Sequence, residues 1–117
     1  MDKLEEVPHN ARPVHEVKAG LFKVLGHPAR IRILELLRGG EQSVGALQSE
    51  LGLDSGGTSQ HLAALRRIGL VESRREGTSV YYRVADKKVF TLLAAGRDII
   101  SRRLAGQQSL LDELRAG

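Results

Sequence analysis

Apolar residues recur along this chain at two spacings, one of period near 3.6 and one of period two. Val14, Val17, Leu21, Val24 and Leu25 fall at the first spacing and predict a helix that Gly26 ends. His27-Pro28 opens a second helix, with Pro28 at the first helical position, where its missing N–H costs nothing, and His27 as the N-cap. Its buried stripe is Ala29, Ile33, Leu36 and Leu37, its wet side Arg32, Glu35 and Arg38, and Gly39-Gly40 stops it. Ser43 caps a third helix with Val44, Leu47 and Leu51 inward; Gly52 closes it, and Leu53 can pack back on its end. Asp54 caps a fourth, whose inward face is Thr58, Leu62 and Leu65 and whose outward face is Gly56, Ser59, Gln60, Ala63 and Arg67; Gly69 closes it.

The second spacing follows at once. Residues 71–74 and 80–84 are β-branched or aromatic runs, and 75–79 between them reads as a hairpin loop with Gly77 free to take positive φ. Tyr81 and Tyr82 alternate across their strand, so one of them should be core. Asp86 then caps a long last helix carrying Val89, Leu92, Leu93, Ile99, Ile100 and Leu104. Gly106 weakens it, and Leu110, Leu111 and Leu114 belong to a continuation or to a separate amphipathic piece. The predicted architecture is mainly α with a light β component: about five helices and a two-stranded hairpin. Residues 1–13, with Pro8 and Pro13 and no period, are expected to be a mobile tail. Residues 14–104 form one domain, and residues 105–117 a C-terminal helical extension or tail.

Helix, tight turn, helix and arginine-edged hairpin, in that order, make a winged helix-turn-helix, which sets one helix in the major groove of DNA. The recognition helix would be residues 55–68 and the wing residues 71–84. Small polar groups near the start of that helix suit a groove, and Gln can pair with adenine. Any soluble helix has a polar face, so spacing alone does not decide. The short turn, the preceding helix and the wing together do. The candidate DNA-binding residues are Ser55, Gly56, Ser59, Gln60, His61, Arg66, Arg67, Arg74, Arg75 and Thr78. Arg75 is the expected direct contact of the wing and Arg83 its structural arginine.

Composition sharpens this picture. The net charge is +4, a weak hint of an anionic partner, but residues 66–83 hold five arginines against two glutamates. Only 3% of the chain is aromatic, so its core must be aliphatic, and a domain of 117 residues has little spare area to bury. Val17, Leu21, Leu92, Ile99 and Ile100 are more apolar surface than one small domain can hide, which points to a homodimer. There is no cysteine, so disulfides and thiolate metal sites are excluded. No apolar run is long enough to span a bilayer, and the first residues lack the pattern of a secretion signal, so a cytoplasmic location is expected. No side chains stand in a recognisable catalytic arrangement, so an enzyme is not expected.

The segments LGHPARIRILELL, SVGALQSELGL, SQHLAALRRIGLV and RREGTSVYYRV closely resemble the ArsR/SmtB family of bacterial transcriptional repressors, over about residues 18–104. The resemblance implies a homodimer built on the first and last helices, bound to double-stranded DNA at an operator of dyad symmetry. By position, Ser55, Gly56, Ser59 and Gln60 match the family's base-reading residues, with His61 and Arg66 beside them. Two departures stand out. Gly56-Gly57 replaces the usual Ser or Thr, so Gly56 can act only by close backbone approach, and the first turn of the helix would be frayed until DNA orders it. The third helix lacks the family's cysteine pair and the last helix lacks histidine, so no metal site and no cofactor are expected; a small-molecule effector stays unassigned. Three other readings remain. They are an architectural protein of low sequence preference, a module that docks a protein partner, and a metal-responsive repressor using a non-standard histidine site such as His9 and His15.

Overall fold

The computed structural model describes residues 13–116. The tail predicted over residues 1–13 and the candidate ligand His9 lie outside them, Pro13 apart. The chain divides into two compact units, one ending at Val84 and the other beginning at Ala85. In the first unit the elements are α1 (Val14–Leu25), α2 (Pro28–Leu36), a 3₁₀ turn (Leu37–Gly39), β1 (Gln42–Ser43), α3 (Val44–Leu51), α4 (Ser55–Arg67), β2 (Val71–Glu76) and β3 (Ser79–Val84). The second unit is one helix, α5 (Lys88–Ala116), with Asp86 Oδ1 accepting from the Lys88 N–H at 3.0 Å.

Each helix start follows its local chemistry. The His27 imidazole accepts from the Ala29 N–H at 3.1 Å, and Ser43 Oγ accepts from the Ala46 N–H at 3.1 Å. Asp54 Oδ1 accepts from the Gly57 N–H at 2.7 Å. The stops are equally local. Gly52 closes α3 at φ 67° with its N–H on the Gln48 carbonyl. At the end of α4, Gly69 sits at φ 79°. There the Leu70 N–H reaches the Leu65 carbonyl and the Gly69 N–H the Arg66 carbonyl, both at 3.0 Å, which is the paired closure of a Schellman motif.

The core of the first unit gathers Ile33 and Leu34 of α2, Leu37, Leu47 of α3, Leu62 and Leu65 of α4, and Val71 of β2. Thr58 is the one fully buried polar residue among the described residues, and its hydroxyl donates to the Asp54 carbonyl at 3.0 Å. Burying that hydroxyl costs little because it keeps a hydrogen bond.

The structure differs from expectation in several places. Leu34, assigned to no face, is fully buried, whereas Ala29 and Leu36 are only half-buried. Ile33, Leu34 and Leu37 lie at i, i+1 and i+4, itself a helical stripe, so the buried face is rotated about the helix axis from the one predicted. Ala63 is half-buried rather than outward, and Leu53 is 37% exposed. The predicted two-stranded hairpin is a three-stranded antiparallel sheet in the order β1-β3-β2, because Gln42 and Ser43 pair with Tyr82 and Tyr81. A two-residue strand has no period to detect. The predicted five-residue loop is a two-residue turn, Gly77-Thr78, since Arg75 and Glu76 continue β2 opposite Val80 and Ser79 of β3. Positive φ at Gly77 (62°) and not at Thr78 gives the signs of a type II′ turn, which matches the twist of paired strands. Neither Tyr81 nor Tyr82 is core; both are half-buried. Of the two alternatives left open for Leu110, Leu111 and Leu114, the continuation is found: α5 runs unbroken through Gly106.

The cap at Asp54 gives a direct test. Asp54→Ala should lower the stability of the protein by about 0.5–2 kcal/mol, read as a shift in the urea midpoint at constant m-value. An unchanged midpoint would show that α4 does not need its cap.

Candidate nucleic-acid interface

The turn between α3 and α4 spans only Gly52 to Asp54, and both ends are locked, by the left-handed glycine and by the Asp54 cap. Recognition surfaces need this rigidity, because a helix can read a groove only if its pitch is held. The first turn of α4 is helical from Ser55. A Cβ at Gly57 would lie 3.1 Å from Asp54 Oδ1, so a side chain there would press on the cap.

The inner stripe of α4 (Thr58, Leu62, Leu65) is buried, so its outer side faces water. Ser55, Gly56, Ser59 and Gln60 are all exposed there, and Arg66 and Arg67 are exposed in the last turn. Ser59 also borders an open groove of about 470 Å³, shared with Ser43 and Gly45 at the start of α3 and with Thr78, Val80 and Tyr82 of the wing. The groove brings recognition helix and wing onto one face.

His61 belongs to a different neighbourhood. Its Nδ1 accepts from Arg30 Nε at 3.2 Å, and its ring lies 4.2 Å from that of His27. Arg30 also donates to the Val24 carbonyl at 3.3 Å. Burial, with the charges of His27 and Arg30 behind it, holds the His61 imidazole below its ordinary value. This cluster ties α4 to α1 and α2, so His61 is a packing residue of the helix rather than part of its outward face.

The wing sorts its charges by face. With Arg74 opposite Tyr81 and Arg75 opposite Val80, alternation places Glu72, Arg74, Glu76, Tyr81 and Arg83 on one face. Val71, Ser73, Arg75, Val80 and Tyr82 take the other. On the first face every charge is paired. Arg74 Nε and Nη2 donate to the two oxygens of Glu41 at 2.7 Å each, and Nη1 donates to Glu76 at 2.7 Å. The same guanidinium lies 4.7 Å from the Tyr81 ring centroid. Arg83 pairs with Glu72 at 2.7 Å. Hydrogen bonding from Arg74 keeps the Glu41 carboxyl below the usual carboxylate range and the Arg74 guanidinium firmly charged. On the second face Arg75 is exposed and makes no ion pair among the described residues.

Sequence reasoning did not find Glu41. It lies 33 residues from Arg74 in the chain, and no local pattern connects the two. Among the described residues no group of three or more His, Asp or Glu side chains stands close enough to hold a metal ion. No helix there is long and apolar enough to cross a membrane.

Comparison with known proteins decides the family. Residues 25–74 match the model of the family described as "Helix-turn-helix domain". An HTH-type transcriptional regulator of Mycobacterium tuberculosis, Rv0081, is 45% identical over 92% of this chain and 95% of its own. Its crystal structure superposes with a TM-score of 0.75 over 83% of this chain and 98% of that one. The biofilm growth-associated repressor of Xylella fastidiosa is 38% identical over 76% of this chain and 82% of its own. A solution structure from Mycobacterium bovis is described as a homodimeric winged helix-turn-helix DNA-binding domain of a possible ArsR-family regulator. It is 37% identical over 78% of this chain and 84% of that one, with a TM-score of 0.69.

The chain belongs to the ArsR/SmtB family. It is a winged helix-turn-helix transcriptional regulator, and its relatives are regulators rather than enzymes.

The lowered value of His61 has a consequence for stability in this regulator. As pH falls below the ordinary histidine value of 6.5, the unfolded chain takes up a proton at His61 before the folded one does. The stability it contributes is complete above that pH and is lost below it. The melting temperature should therefore be lower at pH 5.5 than at pH 7.5, and His61→Gln should shrink the difference. Equal differences in both proteins would show that His61 does not couple folding to protons.

Proposed function

We propose that this regulator is a homodimer that binds double-stranded DNA at an operator of dyad symmetry and represses transcription there. The observation that carries the reading is α4 itself, capped at both ends, buried along Thr58, Leu62 and Leu65, and open to solvent along Ser55, Gly56, Ser59 and Gln60. In the major groove Gln60 and Ser59 would hydrogen-bond base edges, and Gly56 would let the backbone come close. Arg66, Arg67, Arg75 and Thr78 would hold the flanking phosphates or the minor groove. The helix reads and the arginines anchor.

Dimerisation is supported by apolar side chains left in water. Val17 of α1 is 55% exposed, and Ile99 and Ile100 of α5 are 61% and 59% exposed, while Leu21 and Leu92 are half-buried. Large apolar patches on soluble proteins mark interaction surfaces. A second copy of the chain would cover them and would present two recognition helices to two half-sites.

Selection of bound duplexes from a random library, sequenced after several rounds, tests the reading as a whole. An inverted repeat is expected, and enrichment of no sequence would favour an architectural role. On the selected site Gln60→Ala should cost about 1–3 kcal/mol and flatten base preference. Arg75→Ala should weaken binding to every duplex and lower the slope of log affinity against log salt by about one unit. Equal losses for both variants on specific and random DNA would overturn the division of roles. Sedimentation at micromolar concentration should report a dimer. A monomer that still binds the selected site tightly would remove the second copy from the mechanism.

A further inference from the structure

We infer that Glu41 is a specificity-determining residue, which holds Arg74 away from the DNA backbone and gives the wing one phosphate-seeking face. The inference deepens the DNA-binding reading and rests on it. Glu41 precedes β1 and is not part of the hairpin, yet both of its oxygens receive Arg74 at 2.7 Å. Glu76 takes a third donor of the same guanidinium at 2.7 Å, and the Tyr81 ring covers it at 4.7 Å.

An isolated surface ion pair contributes little. This one differs in geometry. The Glu41 contact is bidentate, the form in which arginine binds carboxylate with most directional strength. For Arg74 to reach a phosphate it would give up three short charge-assisted hydrogen bonds to two carboxylates.

Charge sharpens the argument. Glu41, Arg74 and Glu76 together carry one net negative charge, and the adjacent Arg83–Glu72 pair carries none. This face therefore repels a polyanion. The opposite face carries Arg75 and attracts one. The wing thus has an electrical front and back, and only one orientation beside the duplex is favourable. The same contact ties the hairpin to the segment entering α3, so wing and helix-turn-helix move together. Both effects reduce contact with DNA that α4 does not fit, which is how specificity arises from an unfavourable term.

The test is a set of fluorescence-anisotropy titrations of the dimeric full-length protein on its selected site and on a random duplex, between 50 and 200 mM salt. Wild type is compared with Glu41→Gln, Arg74→Gln and the double variant. Glu41→Gln releases Arg74, so one more phosphate contact forms on random DNA. Affinity for the random duplex should then fall about threefold further across that salt range than it does for wild type. The ratio of specific to random affinity should drop. Arg74→Gln should keep the wild-type salt slope, and the double variant should return to it. Glu41→Asp, which keeps the charge but shortens the reach, should lie between wild type and Glu41→Gln. Far-ultraviolet circular dichroism checks that each variant is folded. Two results would overturn the inference: a slope lowered by Arg74→Gln alone, because Arg74 would then already sit on phosphate, or a Glu41→Gln protein with the slope and ratio of wild type. Failure of wild type to bind any duplex would instead remove the DNA-binding reading beneath it.

Discussion

The exposed surface of α4 depends on the burial of its other side. Thr58, Leu62 and Leu65 meet Ile33, Leu34 and Leu47 in the core of the first unit, and this contact fixes the rotation of the helix about its own axis. An α-helix turns by about 100° per residue, so a slip of one position that put Ser59 in the place of Thr58 would bury Ser59 and turn Thr58 out of the core. The caps at Asp54 and Gly69 then fix where the helix starts and stops. Core packing thus settles which positions of the helix, Ser55, Gly56, Ser59 and Gln60, are left open to solvent.

The wing solves a different problem. A hairpin of two strands is marginal by itself. Here β1 adds a third strand, and its Ser43 also caps α3, so one residue joins the sheet to the helix-turn-helix. The Glu41 contact to Arg74 reinforces the joint from the neighbouring position. Polar groups do on the exposed side what aliphatic groups do inside: they remove freedom between elements that must act at a fixed distance from each other.

Much of this was legible in the residues. The caps at His27, Ser43, Asp54 and Asp86 were readable because each bond spans two or three residues. The outward set on α4 was readable for the same reason, since helical periodicity is local. What escaped reading depends on distant parts of the chain or on a choice between two stripes of the same period. Strand β1 is set by pairing with β3, some forty positions away. Leu34 lies at helical spacing from Leu37, but Ala29, Ile33, Leu36 and Leu37 make an equally regular stripe in the sequence. The sequence separates Arg75 from Arg83 but gives no sign that Arg74 and Arg75, neighbours in the chain on opposite faces of a strand, differ in being matched with carboxylates. Helix propensity alone does not see how close position 57 lies to the Asp54 carboxylate, 3.1 Å from a Cβ placed there.

The turn at Gly77-Thr78 joins β2 to β3 with no residue to spare. Such a tip has no slack. Gly77 holds a positive φ that a side chain would strain, and inserting or deleting a single residue in either strand would exchange its two faces beyond that point. Arg75 and Arg74 would trade surroundings, and Val71 would turn outward. The wing is therefore held more tightly in its length than in the identity of its exposed strand residues.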